Sequence, residues 1–296
     1  METKRTFIVG DEWLYYKIYC GHKTSDKIIA EIISPITQKL KAKGIIKKWF
    51  FIRYADPEYH LRIRFHLSSE NSVLPVVSIF KDAINKYIKS NLVWKIVIDT
   101  YQREIERYGN NSITFVEDIF CNDSVLTSKI IYQLRGKEGD NLRWLIGIRS
   151  IDEFLNSFDY KLLEKFEILT IMKDSFEKEH NINKHLKSQL SSKYRKHRYS
   201  IENILNYEND LKNEMLPIFN LIKERDANNK LAIEQLLRLK KENKLEQELN
   251  KYMWSYLHML NNRLFRTRQR THELVVYYLL YQYYRSKLAR KGLKIK

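Results

Sequence analysis

The chain has 296 residues, 44% of them hydrophobic and 13% aromatic, and carries a formal net charge of +17. That length and apolar content bury a sizeable core and exclude a disordered chain. Eight glycines and four prolines are too few for an all-β sandwich and favour long helices. Cys20 and Cys121 make neither a disulfide framework nor a metal-ligand spacing. The opening METKRTFIVGDEW lacks the apolar core of a signal peptide, and the longest apolar run, Leu274–Tyr281, falls far short of the ~20 residues of a membrane helix. A cytoplasmic protein without membrane contact is the expectation. The positive charge is spread along the chain and mixed with glutamate, which favours a solvated surface over a dedicated nucleic-acid face.

In chain order, residues 12–20 (EWLYYKIYC) alternate and predict a strand. Residues 24–44 predict an amphipathic helix, capped by Thr24 or Ser25, kinked at Pro35 and stopped by Gly44. Residues 46–55 (IKKWFFIRYA) and 59–67 (YHLRIRFHL) predict a hairpin across the turn Asp56-Pro57-Glu58. A helix over 74–90 and a strand over 93–101 complete β-α-β-β-α-β, the ferredoxin-like order. After Gly109 the periodicity is helical: 112–134, 141–158, 162–182, 201–224, 228–246, 248–264 and 268–291, with 181–200 read as an exposed or mobile segment. The fold class is α+β. No Gly/Ser linker divides the chain, so residues 1–296 are read as one domain, a sheet layer over about 1–109 and a helical layer over about 110–296.

Three constellations are candidates for chemistry. Strict alternation in YHLRIRF puts His60, Arg62 and Arg64 on one face and Leu61, Ile63 and Phe65 on the other. Arg53, in the adjacent strand, is placed to add a third guanidinium. Such a cluster repels itself unless carboxylates or an anion meet it, and guanidinium pairs suit bidentate binding of carboxylate or phosphate. Alternation alone does not choose between a neutralised sheet face and an anion site. In DTYQREIERYG (99–109), Arg103 and Arg107 stand at i and i+4, with Glu104 and Glu106 available for local pairing. In YLHMLNNRLF (256–265), His258 and Asn262 share a helix face; His258 is either a satisfied helical histidine or a positioned acid/base. No P-loop, GxGxxG, HExxH or GxSxG motif occurs, and no metal or cofactor is expected.

Taken in order, EWLYYKIYCG, FFIRYADPEYHLRIRF, DTYQREIERYG and HMLNNRL resemble the thiopeptide-type bacteriocin biosynthesis domain, the small C-terminal elimination domain of LanB-type lantibiotic dehydratases. Asn110 and Asn111 stand where that family usually has a second glycine. The resemblance implies a lyase that removes glutamate from glutamylated Ser or Thr of a ribosomal precursor peptide, leaving dehydroalanine or dehydrobutyrine. It implies a separate glutamyl-tRNA-dependent transferase as partner. It makes Arg64, Arg103 and His258 the catalytic residues, with Arg53 and Arg62 as supporting cations; His60, Arg107 and Asn262 complete the expected substrate-binding set. The related pyridine-forming [4+2] synthases of thiopeptide pathways are the alternative in the same family, and a non-catalytic RNA- or peptide-binding subunit is the alternative outside it. Indirect tRNA contact, a homodimer and the identity of the group that takes the α-proton are left open.

Overall fold

A computed structural model describes residues 3–134, 137–206 and 215–293. Short β1 (Thr6–Phe7) precedes β2 (Trp13–Cys20), and the first helical run follows. That run starts at His22, earlier than Thr24 or Ser25, with Gly21 as its N-cap; the Ser25 hydroxyl bonds the His22 carbonyl instead of capping. It is α1 (His22–Ile28), a π turn (Ile29–Ile33) and α2 (Ser34–Ala42). The π turn lies just ahead of Pro35, whose missing N–H and bulky ring do not fit a regular α ladder; the wider turn absorbs both.

Strands β3 (Ile46–Ala55) and β4 (Tyr59–Leu67) form the expected hairpin, α3 (Val73–Lys89) follows, and β5 (Val93–Asp99) closes the unit. The sheet order is β3-β4-β2-β5, antiparallel throughout, which is the ferredoxin-like arrangement. β6 (Tyr101–Gln102) leaves this sheet and pairs with β1. One sheet face carries Leu14, Tyr16, Ile18, Phe51, Leu61, Ile63 and Phe65 and is covered by α1, α2 and α3. The other carries Trp13, Tyr15 and Phe50, which join the core of the helical half through Tyr101, Tyr108, Phe120 and Tyr256.

The helical half comprises α4 (Ile105–Tyr108), α5 (Ile113–Gln133), α6 (Lys137–Ser157), α7 (Leu162–Glu179), α8 (Lys184–Leu205), α9 (Leu216–Lys241), α10 (Leu249–Leu264) and α11 (Gln269–Arg290). The segment 181–200 is therefore mostly helix, held by buried Leu190 and Tyr194 and by a Ser191–Tyr278 hydroxyl pair at 2.7 Å. The expected helix over 201–224 is in fact the end of α8 and the start of α9, and its middle lies outside the described residues.

The outer edge of β3 is closed by side chains from the helical half. The Arg53 N–H donates to Asn262 Oδ1 and Asn262 Nδ2 donates to the Arg53 carbonyl, both at 2.8 Å, so one amide replaces a neighbouring strand. Arg263 Nε donates to the Phe51 carbonyl at 3.0 Å, and the Phe51 N–H donates to Ser124 Oγ at 3.1 Å. Asn262→Ala strands one buried backbone donor and one acceptor, and is expected to cost about 3 kcal/mol in urea unfolding.

Candidate functional site

Cross-strand register aligns His60 with Tyr54 and Tyr19, Arg62 with Ile52 and Lys17, and Arg64 with Phe50 and Tyr15. These rows share the face turned toward the helical half. At one end that face opens into a pocket of about 290 Å³, lined among others by Tyr15, Lys17, Arg62, Arg64, Asp99 and Arg103.

Arg64 is the unusual member. It is only 7% exposed, and its Cζ lies 4.5 Å from the Tyr15 ring centroid, 4.7 Å from Tyr101 and 5.0 Å from Phe50. Its Nε and Nη1 are buried without a hydrogen-bond partner among the described residues, and so is the neighbouring Tyr15 hydroxyl. Burial pushes its pKa below the usual arginine value and also pushes Tyr15 up. Ring faces attract a cation, but they do not fill N–H donors.

The other pocket cations are mostly neutralised. Arg5 meets Glu106 at 2.6 Å, and Lys17 pairs with Asp99. Arg103 holds Glu117 in a bidentate fork, Nε to Oε1 at 2.7 Å and Nη2 to Oε2 at 2.8 Å. Burial opposes charge on Arg103, but the Glu117 fork more than compensates and its pKa is raised. Arg62 and Arg64 have no carboxylate partner among the described residues. Arg62 lies flat on Tyr54, Cζ 3.4 Å from the ring centroid, and its Nε donates to His60 Nε2 at 3.1 Å. His60 Nδ1 faces the Glu58 carbonyl at 2.8 Å and must carry the proton there, which leaves Nε2 as the acceptor for Arg62. Desolvation depresses the His60 pKa, keeping the ring neutral for that task.

His258 belongs to a second cluster and does not line this pocket. Its Nδ1 donates to Glu273 Oε1 at 2.8 Å; the side chain is 33% exposed and Glu273 is fully buried. Arg270 Nη1 donates to Glu273 Oε2 at 3.0 Å, and Gln269 links the group to Asn262. A ring anchored through Nδ1–H presents the lone pair of Nε2 for proton transfer. Asn262 grips the backbone of Arg53, and the next residue, Tyr54, covers Arg62.

Three expected substrate contacts are placed otherwise. Arg53 pairs in register with Leu61, so it points to the opposite sheet face from Arg62 and Arg64. There it bonds Asp26, Ser25, Tyr59 and the Arg263 carbonyl, tying β3 to α1 and α10. The Asn262 amide is filled by Arg53 and Gln269. Arg107 is exposed and pairs with Glu104 at 3.1 Å. Its i, i+4 relation to Arg103 gives no shared face, because α4 begins only at Ile105 and the Arg103 N–H donates to the Arg5 carbonyl.

The sequence reading missed Glu117 and Glu273. A usable signal existed: each carboxylate sits on the apolar stripe of its helix, Glu117 between Ile113 and Phe120, and Glu273 beside Val276 and Tyr277. Gly109 is left-handed at φ +74°, and a Cβ there would meet Glu246, Tyr252 Oη at 2.6 Å and Ser112 Oγ at 2.8 Å. Asn110 and Asn111 are not left-handed, so the missing second glycine is accommodated.

One neighbouring histidine reports on pH. His66, its ring tilted against Trp13 with centroids 4.7 Å apart, is pushed down to about 4, first by burial and then by Lys48, Lys47 and Arg103. The unfolded chain, with a histidine near 6.5, binds more protons in that window. Stability is expected to fall as pH drops from about 6.5 to 4, and His66→Phe is expected to flatten that slope in denaturation curves taken across pH.

Among the described residues no group of three or more His, Cys, Asp or Glu is placed to hold a metal, and no helix is long and apolar enough to cross a membrane. The fold and site thus define a ferredoxin-like α+β fold with a cationic pocket at one end of the sheet face turned toward the helical half. The chain belongs to the family described as lantibiotic biosynthesis dehydratase C-term, whose model matches residues 13–284. It is 32% identical over 164 residues to the subtilin biosynthesis protein SpaB of Bacillus subtilis, covering 54% of this chain and 15% of that protein. Its fold is similar to the tRNA dependent lantibiotic dehydratase MibB from Microbispora sp. 107891, with TM-score 0.70 and 19% identity over 96% of this chain and 29% of that one. It is also similar to the pyridine synthase TbtD from thiomuracin biosynthesis, with TM-score 0.68 and 10% identity over 95% and 100% of the two chains.

Proposed function

We propose that the protein eliminates glutamate from glutamylated Ser or Thr residues of a ribosomal precursor peptide, leaving dehydroalanine or dehydrobutyrine. The observation that carries this reading is Arg64: a buried guanidinium with two unpartnered donors, in a pocket whose other cations except Arg62 have carboxylate partners. Family membership supplies the peptide context. Glutamate brings a carboxylate into the pocket, where the Arg64 guanidinium attracts it and Arg62 adds a second positive charge. Arg103, forked by Glu117, completes the same wall as a fixed ion pair.

In the reaction the α-proton is removed, the Cβ–O bond breaks, its electron pair departs with glutamate, and a Cα=Cβ double bond forms. Negative charge develops on the enolate-like carbonyl and then on the leaving carboxylate, and preorganised cations stabilise both. His258, oriented by Glu273, is the acid/base group of this reading, and a substrate reaching both clusters crosses Tyr54. Glutamylation comes from a separate glutamyl-tRNA-dependent transferase.

Incubation with a glutamylated precursor peptide is expected to release free glutamate and leave the dehydrated peptide, both read by mass spectrometry. An unchanged peptide, with the transferase present, would sink the reading. A second reading, pyridine formation from two dehydroalanines, is favoured by the likeness over the whole length of TbtD. A doubly dehydrated peptide that cyclises and loses its leader would establish it.

A further inference from the structure

The two edges of the main sheet are built differently. β3 is closed by Asn262, Arg263 and Ser124. β5 is the last strand on the other side and pairs only with β2. Among the described residues, no backbone hydrogen bond from another element reaches its outer edge. Proteins ordinarily blunt such an edge with charge, proline or a covering segment. Here it is largely apolar: Trp94 is 55% exposed, with its indole N–H donating to Glu58 Oε2 at 3.1 Å, Ile98 is 39% exposed, and Leu92, just ahead of the strand, 43%. Its charged residues do not guard it. The Lys95 ammonium lies 5.1 Å over the Tyr19 ring, and Asp99 pairs with Lys17, both on the pocket face.

The geometry points to β5 as a docking edge for an extended segment of the peptide substrate, added as a fifth strand beside the residue to be processed. This rests on the peptide-elimination reading and extends it to how the peptide is held. The occupant follows from where the strand leads. Asp99 is level with Tyr15 and Arg64 across the sheet, and Asp99 and Thr100 line the arginine pocket. A peptide paired along β5 therefore leaves the strand at the pocket mouth. Backbone pairing holds varied sequences, and alternate side chains face the pocket and the Ile98 side. A second copy pairing β5 on β5 would cover Asp99 and Thr100 and shut that mouth.

The test uses the full chain and an unmodified, fluorescein-labelled lantibiotic precursor peptide, so it does not depend on turnover. Peptide binding is expected to slow hydrogen exchange at the β5 amides, and Trp94→Lys/Ile98→Lys is expected to weaken binding by about tenfold, the loss of roughly one good contact. N-methylation of the docked peptide segment is expected to weaken it similarly. A thermal melt of the double variant confirms folding. With a glutamylated peptide, the variant is expected to raise KM and keep kcat, while a short capped glutamyl-serine substrate is processed as by wild type. Unaltered affinity in the variant, or β5 protection that appears only as the protein dimerises, overturns the docking edge. Binding at β5 without any glutamate release overturns the elimination reading and leaves the edge standing.

Discussion

Arg64→Met is expected to lower glutamate release by about 10²–10³-fold, the usual effect of removing a preorganised donor from a charge-stabilising site. The same substitution is expected to raise stability by about 1–2 kcal/mol in urea unfolding, because it removes a buried charge with unfilled donors and keeps the apolar bulk. Loss of the three ring contacts holds that gain down. Opposite signs for activity and stability mark a residue kept for chemistry. A variant that is both inactive and destabilised would make Arg64 a structural residue. Arg64→Lys is expected to lose most of the activity too, since an ammonium has no fork to present.

Glu117→Ala is expected to be the most damaging single change to the fold near the site. Glu117 is 1% exposed and holds both Arg103 and the Tyr101 hydroxyl. Removing it leaves a buried guanidinium without its counter-charge, a loss of about 3–5 kcal/mol. It also frees the Tyr101 ring, one wall of the Arg64 cage. Replacing both partners, Arg103→Met with Glu117→Leu, is expected to recover most of the stability and none of the activity. A cost below about 1 kcal/mol for Glu117→Ala, the range of a surface pair, would contradict this.

Strand periodicity reveals more of this site than helix spacing does. Alternation placed His60, Arg62 and Arg64 on one face, because a period of two leaves no freedom once Leu61, Ile63 and Phe65 are buried. Arg53 lies in the partner strand, and its face depends on hairpin register, which the turn sequence alone does not reveal. The i, i+4 relation of Arg103 and Arg107 failed because it presumed a helix where the chain is extended. Asn262 was found by its nearness to His258 on one helix face, yet its amide serves the β3 edge. Glu117 and Glu273 act across fourteen and fifteen residues, beyond any local spacing rule. Their places on apolar stripes were the available clue. The polarity of residues 181–200 suggests an exposed or mobile segment; the buried contacts of Leu190 and Tyr194 that make most of it helix come from tertiary packing.

In the proposed reaction the Arg62–Arg64 pocket recognises the side-chain carboxylate of the departing glutamate. The most direct measurement compares elimination from one peptide carrying either a glutamyl or a glutaminyl ester on the same serine. The amide keeps size and shape and removes only the negative charge. Glutaminyl ester elimination is expected to be at least about 10²-fold slower, reflecting the lost charge-assisted bonds. Equal rates for the two esters would contradict the assignment.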